Sequence, residues 1–262
     1  MRPGAAGRGQ AISFERQVTA KLRLKIDWTH PVFKVDQAET NRQGGTVAKM
    51  GDYALPREEA FRYVAGDDRR PLLVLRECDK CKGSDDALLS RRISNERTQL
   101  MAKWFRCVKL PVHVLKSNHP FHALFEGDHP PHLFLARADG SGAVPLDGNQ
   151  SQSELWQAMG KLLDETYVGN HTTALRDWFK LLTQFDHLDS RRIELNEALD
   201  REIEKSGPDS AKTKTIRQAL AKLEKQREEL LEKEAKLIEL GGFRAKSEPK
   251  TADAAGAAGA NR

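Results

Sequence analysis

Two cysteines separated by two residues, Cys78 and Cys81, are the side chains of this sequence with the clearest capacity for chemistry. A C-x-x-C pair can form a reversible disulfide, or its thiolates can bind a metal ion. The sequence of 262 residues contains one further cysteine, Cys107. Three cysteines are too few for the disulfide framework of a small secreted domain. The pair therefore predicts redox or metal chemistry.

The residues on either side of the pair predict the elements that position it. The continuous apolar run 71–75 favours a strand buried on both faces in the middle of a sheet. Residues 84–106 carry apolar side chains at helical spacing, so we expect the pair to open a helix. Exposed N–H groups and the helix dipole stabilise a thiolate at a helix N-terminus. Cys78 is then the expected nucleophile, and Cys81, one turn inside the helix, is the resolving cysteine.

The remainder of the first 170 residues alternates between strand and helix patterns. Asp139-Gly140 is a hairpin turn signal, and Ser151 with Glu154 fits a capping box that starts an amphipathic helix. The other predicted elements are a half-buried strand at 22–28, a helix at 56–65, a strand at 108–115, a loop at 117–130, a strand at 133–136 and its hairpin partner from 143.

The order of these elements from 56 to 168 resembles the thioredoxin superfamily. An apolar strand leads into the C-x-x-C pair, two prolines and His132 precede the strand at 133–136, and a terminal helix follows the hairpin. The resemblance implies an α/β fold with a thioredoxin-like mixed sheet flanked by helices. It also implies a cis-proline opposite the dithiol, for which Pro131 matches best and where it would contact substrate. His132 follows it and is expected near the dithiol, where it could bind substrate and move protons.

The sequence differs from typical thioredoxins around the pair. Glu77 stands where an aromatic residue usually precedes the first cysteine, the preceding strand contains no acid, and the intervening residues are Asp79 and Lys80. Nearby cations favour the thiolate, whereas the two acids oppose it. A structural or vestigial C-x-x-C therefore stays open as an alternative to a redox-active one.

Two further groups of residues have metal-binding side chains. Cys107 and His113 could complete a Cys3His zinc site with the pair, but the predicted helix would hold Cys107 roughly 35 Å away. Cys107 is therefore expected to be a small buried core residue. We expect no metal and no cofactor. Four histidines within fourteen residues are interpreted as part of a polar loop: His119, His122, His129 and His132.

Beyond residue 170 the sequence has the pattern of two long helices. Apolar residues recur at helical spacing over 172–204, and a second series from Ile216 to Leu237 has a 3-4 spacing interrupted by Arg227 and Glu234. The break at 206–210 predicts an antiparallel, coiled-coil-like hairpin with arms of roughly 45 Å. Because long helices need a buried seam, residues 172–240 are expected to pack back on the domain, form a homodimer or bind a partner helix.

Composition and charge set limits on the organisation and the partners. We divide the chain into a flexible basic arm at 1–18, a thioredoxin-like domain with an N-terminal strand extension at 19–170, the helical hairpin at 171–240 and a disordered tail at 241–262. Residues 1–26 hold six basic residues and one acidic residue, which accounts for the whole net charge of +5. The remaining chain is neutral, so we expect no nucleic-acid partner.

No run approaches the 18 apolar residues of a membrane span, and no apolar segment near the N-terminus predicts a secretory signal. We expect a cytoplasmic protein that does not contact the membrane. A basic, almost acid-free beginning is also typical of an organelle transit peptide, which is the alternative to a disordered arm.

These observations predict a thiol–disulfide oxidoreductase that uses Cys78 and Cys81 in the reductase direction, with a protein disulfide or a redox partner as its substrate. The alternative is a non-catalytic protein of thioredoxin-like fold that acts as a scaffold through its helical hairpin. A third possibility uses the same two cysteines as a switch that changes what the hairpin binds.

Overall fold

The centre of the molecule is a five-stranded mixed sheet, seen in a computed structural model that describes residues 15–33, 54–78, 85 and 87–245. The strands are β1 (Trp28–Thr29), β2 (Leu72–Arg76), β3 (Arg106–Leu110), β4 (Leu133–Ala136) and β5 (Val144–Leu146). Their order across the sheet is β1-β3-β2-β4-β5. Strand β3 is parallel to both of its neighbours, β1 and β2. Strand β4 is antiparallel to β2 on one side and to β5 on the other.

Helices lie before, between and after these strands. The described residues form α1 (Val18–Arg23), α2 (Arg57–Ala65), α3 (Glu96–Ala102), α4 (Gln152–Thr166), α5 (His171–Ser206) and α6 (Ala211–Glu239), with two short 3-10 helices at Val112–Leu115 and His122–Phe125. None of the helices in the described part of the chain is both long enough and apolar enough to cross a membrane. The mixed α/β class expected from the sequence is confirmed.

Strands β2 and β4 are buried along their whole length. Alternate residues of β2 point to opposite faces, so Leu73 and Leu75 join one apolar cluster, and Leu72 and Val74 join another. A strand with two buried faces must be apolar at every position. The predicted strands at 71–75 and 133–136 are confirmed for this reason.

The short-range signals of the sequence are also confirmed. Helix α2 begins directly after Pro56, and Ser151 accepts a hydrogen bond from the Glu154 amide in a complete capping box at the start of α4. Gly140 turns the β4–β5 hairpin with a φ of +82°. A side chain at Gly140 would collide with the ring of Phe61. The turn therefore requires glycine both for its positive φ and for its lack of a side chain.

The predicted strand at 22–28 is wrong, because α1 occupies Val18–Arg23 and only Trp28–Thr29 is extended. The first turn of α1 is held by carboxylates of α5. Asp186 accepts from the Gln17 amide at 2.7 Å, and Asp189 accepts from the Thr19 amide at 2.8 Å and its hydroxyl at 2.9 Å. These acids satisfy helix N–H groups that lack intrahelical partners. The expected flexible arm at 1–18 is therefore wrong for residues 15–18, and the rest of it lies outside the described residues.

The predicted helix at 84–106 is confined to Glu96–Ala102. Among the described residues before it, Ser90 and Asn95 hold a series of turns. The Asn95 side chain accepts from the Ser90 amide at 2.7 Å and donates to the Ser90 carbonyl at 2.8 Å. The Ser90 hydroxyl accepts from the amides of Arg92 and Ile93. Serine and asparagine compete in this way with helical hydrogen bonds.

The third strand is displaced from the predicted 108–115 to Arg106–Leu110. Pro111 ends it, since proline has no N–H for the ladder, and a 3-10 helix follows. The predicted polar loop at 117–130 contains a second 3-10 helix whose Leu124 and Phe125 are buried. Local spacing did not distinguish a strand from these short helices.

Helices α5 and α6 form an antiparallel hairpin. Lys212 at the start of α6 pairs with Glu202 near the end of α5 at 2.9 Å. At the other end, Gly169 donates its amide to the Leu240 carbonyl at 3.0 Å. The indole of Trp104 donates to the Leu237 carbonyl at 2.8 Å, so the base of the hairpin packs on the sheet domain.

The residues that follow α6 pack against the end of α4. The ring of Phe243 stacks on Tyr167 at 5.0 Å, and the two residues form an isolated β-bridge. The predicted disordered tail at 241–262 is therefore wrong for residues 241–245. The remainder of that prediction lies outside the described residues.

Candidate functional site

Cys78 lies just beyond the carboxyl end of β2. The parallel ladder with β3 extends past the strand, because the Glu77 amide donates to the Leu110 carbonyl at 2.9 Å. Cys78 is half-buried and disulfide-bonded. Cys81 lies outside the described residues. Ligand and substrate sites of open α/β sheets generally form at this edge, beyond the carboxyl ends of the strands.

The proline-rich segment before β4 lies beside the same strand end. The Arg76 amide donates to the His132 carbonyl at 2.8 Å, which continues the β2–β4 register by one residue. The Arg76 side chain is 7% exposed, and its guanidinium donates to the carbonyls of Pro130 and Pro131, both at 3.4 Å. The structure thus brings Pro131 and His132 opposite the residues that lead into Cys78.

The predicted cis-proline is wrong, since every peptide bond among the described residues is trans, including the one before Pro131. Arg76 supplies a different means of fixing this segment, because its buried guanidinium binds two successive proline carbonyls. Sequence reasoning treated Arg76 only as a nearby charge. A cation at the end of an otherwise apolar strand was the available signal.

His132 is partly buried beside this segment. Burial lowers the pKa of its imidazole, the Arg76 charge lowers it further, and Asp147 opposes these effects. A pKa below the usual 6.5 keeps the ring neutral at pH 7. A neutral imidazole can accept a proton, which fits the role predicted for His132.

The segment that follows the cysteine pair is tied to β3 by Lys109. The ammonium group of Lys109 binds the Asp85 carboxylate at 2.7 Å and lies 4.7 Å from the centre of the Trp28 ring. Sequence reasoning missed Lys109, although a lysine inside an apolar strand pattern indicates a buried partner.

Helix α4 holds the next residues of this segment. The Gln150 side chain donates to the Ala87 carbonyl at 2.6 Å, and the Gln152 side chain donates to the Leu88 carbonyl at 3.1 Å. Both glutamines bind backbone across more than sixty residues of sequence. No local pattern in the sequence indicated these contacts.

The structure changes the expected electrostatics of the pair. Helix α3 begins at Glu96, eighteen positions after Cys78 (96 minus 78). The field of a helix dipole falls off within its first turn. Cys78 is therefore not part of the first turn of α3, where the sequence placed the cysteine pair.

Cys107 is a core residue, as predicted. It is 3% exposed, and its thiol donates to the Ala102 carbonyl at 3.5 Å. Burial raises the pKa of the Cys107 thiol to about 12. A thiol that stays protonated is a poor metal ligand, and no group of three or more potential ligands occurs within the described residues.

The loop histidines form a packed cluster on the opposite face of the sheet from Cys107. The rings of His113 and His119 lie 5.0 Å apart, and His119 Nδ1 accepts from the Phe121 amide at 3.1 Å. Burial lowers the pKa of His119, and the neighbouring His113 and His122 lower it further. Residues 116–120 form turns, as the polar-loop interpretation predicted, but His119 is partly buried among them.

Comparison with known protein families, curated proteins and solved structures finds no match to this chain.

Proposed function

We infer that the protein is a thiol–disulfide oxidoreductase of thioredoxin-like fold, with Cys78 as the nucleophile and Cys81 as the resolving cysteine. The observation that carries the proposal is the disulfide-bonded state of Cys78 at the carboxyl edge of β2. The proposed direction is reduction of a protein disulfide in a cytoplasmic, reducing environment.

The reaction transfers two electrons from the dithiol to the substrate. The Cys78 thiolate attacks one sulfur of a substrate disulfide, the substrate S–S bond breaks, and one substrate thiolate leaves. The Cys81 thiolate then attacks the Cys78 sulfur of the mixed disulfide and releases the second substrate thiolate. The protein is left with an oxidised pair, which a separate dithiol reductant returns to the reduced state.

Several features support this reading. The order of elements from α2 to α4 agrees with the resemblance, and β2 lies between the parallel strand β3 and the antiparallel β4–β5 hairpin. Pro131 and His132 lie beside the end of β2, where a substrate chain could add backbone contacts. The neutral imidazole of His132 is suited to take the proton from a thiol.

A redox titration of the full chain tests the proposal. The protein is equilibrated in thiol buffers of stepped potential, alkylated and weighed by mass spectrometry. We expect a reversible two-electron transition between roughly −120 and −270 mV, the range of known oxidoreductases. Cys107→Ser should keep the transition and Cys78→Ser should lose it. Thiols that never pair under mild oxidant would exclude the dithiol role.

The alternative is a binding protein that acts through its helical hairpin. Three large apolar residues of the hairpin are exposed, namely Ile193 (50%), Leu231 (38%) and Ile238 (41%). Leu231 and Ile238 are seven residues apart and therefore lie on the same side of α6. A second copy of the chain or a partner helix could cover this side.

Sedimentation over a hundredfold range of concentration distinguishes the two functions. A homodimer that is lost in Leu231→Glu, combined with no redox transition, would favour the scaffold. A dimer whose stability depends on the redox state of Cys78 would favour the switch. The matched control is Glu228→Gln on the exposed surface of α6.

A further inference from the structure

A groove of about 720 Å³ lies where α3, α4 and the start of α5 meet. Arg97 of α3, Trp156 and Lys161 of α4, and His171 of α5 are among the residues that line it. None of the residues assigned above to thiol–disulfide exchange lines this groove. Its volume is within the range of pockets that bind small molecules.

The uncompensated charge of the groove is positive. Two acids line it, but Asp164 binds His171 Nδ1 at 2.7 Å, and Glu165 binds Arg137 at 2.7 Å. Arg97 and Lys161 also line it, and neither forms an ion pair within the described part of the chain. The two cations are therefore available to an anionic ligand, whereas both acids already have partners.

Arg97 is incompletely satisfied. Its guanidinium carbon lies 4.4 Å from the centre of the Trp156 ring, in a cation–π contact. Its Nε is shielded from solvent and has no hydrogen-bond partner among the described residues. Burying a charged N–H without an acceptor is costly. Carboxylate and phosphate oxygens are the acceptors that the planar guanidinium matches best.

The aromatic surface under Arg97 is fixed in advance. The Trp156 indole donates to the Thr98 hydroxyl at 2.9 Å, and that hydroxyl donates to the Gln152 side chain at 2.9 Å. Thr98 is fully buried. Because this chain of hydrogen bonds sets the ring orientation, a ligand would not need to order it on binding.

Gly160 of α4 allows the start of α5 to come close to the groove. A Cβ at this position would lie 2.8 Å from Nε2 of His171. The glycine therefore lets the imidazole lie against α4, where Asp164 holds its other nitrogen. The groove is thus lined by the cations Arg97 and Lys161 and by Asp164, whose carboxylate is held by a histidine that is charged only when protonated.

We propose that this groove binds a ligand through a single carboxylate, which accepts hydrogen bonds from Arg97 and Lys161. Glu165 is paired with Arg137, whereas His171 beside Asp164 is charged only when protonated, so among the described residues the groove sets two unpaired cations against one acid without a cationic partner. This excess of one positive charge matches a monoanionic carboxylate better than a phosphate dianion. This binding site is independent of the proposed redox function.

The carboxylate could belong to a separate molecule or to the same chain. Arg244 donates its Nε–H to the Asp164 carbonyl at 2.9 Å, at one edge of the groove. Glu248 follows four positions later in the sequence, and four extended residues span at most about 14 Å.

The test is a titration of the 15N-labelled full chain with sodium propionate at constant ionic strength. The Arg97 Nε–H and Trp156 indole N–H resonances report on the groove. We expect saturable shifts of both. Arg97→Gln should weaken propionate binding at least about tenfold, as judged from the indole resonance. Arg92→Gln removes the same charge from an exposed position and should leave binding unchanged.

Lys161→Gln provides a second test that leaves the Arg97–Trp156 contact in place, and it should weaken binding by a smaller factor. Stronger propionate binding in Glu248→Gln than in the wild type would assign the natural carboxylate to the chain itself, and equal binding would assign it to a separate molecule. Linear shifts, or equal binding in Arg97→Gln, would overturn the proposal. Tighter binding of inorganic phosphate than of propionate would overturn the choice of carboxylate.

Discussion

Cys78 and Cys107 belong to neighbouring segments of one sheet, yet their surroundings differ. Cys107 lies within β3 opposite Leu73, 3% exposed, with a pKa raised to about 12. Cys78 lies beyond the end of β2, half-buried and disulfide-bonded. A difference of a few residues along parallel strands thus separates an inert thiol from an accessible one. The exposure of a cysteine in this sheet therefore depends on its position along the strand.

The largest expected contrast is in turnover. In a protein-disulfide reduction assay, Cys78→Ser should lose more than about 10³-fold in rate, because the proposed nucleophile is removed. Cys107→Ser should retain a rate within about twofold of the wild type. Circular dichroism of both variants checks that they are folded. Turnover by folded Cys78→Ser would exclude the assigned nucleophile.

Alkylation sharpens the same contrast without an assay substrate. With a pKa of about 12, Cys107 at pH 8 has about 10³-fold less thiolate than an ordinary cysteine. After reduction, iodoacetamide should therefore label Cys78 long before Cys107, as followed by peptide mass spectrometry. Unfolding in urea should abolish the difference. Equal labelling rates in the native protein would contradict the burial of Cys107.

The next effect is on the free energy of unfolding, where the substitution at Cys107 should have the larger effect and the one at Cys78 the smaller. Cys107→Ser places a hydroxyl among apolar side chains and should lower the free energy of unfolding by about 1–2 kcal/mol. Cys78→Ser, compared under reducing conditions, should change it by less than about 0.5 kcal/mol. Urea denaturation measures both. A larger loss at Cys78 would show that its thiol packs more tightly than its exposure indicates.

A smaller effect concerns the segment that follows the cysteine pair. Gln152→Ala removes the bonds to Leu88 and Thr98 and should lower the free energy of local opening by about 1–2 kcal/mol. Hydrogen exchange of residues 87–95 should speed up about tenfold or more. Gln157→Ala, exposed on the same helix, is the matched control. Unchanged exchange in Gln152→Ala would show that this segment is held by other contacts.

The smallest effect is the pH dependence contributed by His132. Its pKa is lowered in the folded protein, so the unfolded chain binds more protons below about pH 6.5. The contribution of neutral His132 is complete above pH 6.5 and is lost as the pH falls towards the folded pKa. His132→Gln should lose less stability than the wild type between pH 6.5 and 5 in urea denaturation. His30→Gln, at an exposed position, should behave as the wild type does.

The sequence predicted the elements whose patterns are satisfied locally. The apolar runs of β2 and β4, the Asp139-Gly140 turn and the capping box at Ser151 each need only a few neighbouring residues to take effect. These elements were predicted because propensity and tertiary structure agree there.

The sequence did not predict elements that distant contacts decide. Helix α1 is held by Asp186 and Asp189, about 170 positions away, and the alternating pattern at 22–28 gave no sign of them. The helix expected at 84–106 has suitable apolar spacing, but Ser90 and Asn95 bind backbone in turns instead. Tertiary contacts outweighed propensity in the first case, and side-chain competition did so in the second.

The position of Cys78 was predicted, but most of what surrounds it was not. The adjacency of Pro131 and His132 to the end of β2 was implied by the resemblance to the thioredoxin superfamily. The roles of Arg76, Lys109 and the two glutamines depend on side chains that meet across 24 to 64 residues of sequence. Such contacts form only in the packed fold, and the periodicity of the sequence does not indicate them.

The capping of α1 by α5 has a consequence for how the chain is made. Six residues are too few for a helix to persist alone, and the carboxylates that complete its first turn belong to Asp186 and Asp189. A ribosome adding about 5–20 residues per second needs roughly 8 to 34 s to travel from the first of these segments to the second. During that interval the first turn of α1 lacks the two carboxylates that accept its N–H groups. Helix α1 therefore completes its first turn only after the segment of α5 that carries these two acids has been synthesised.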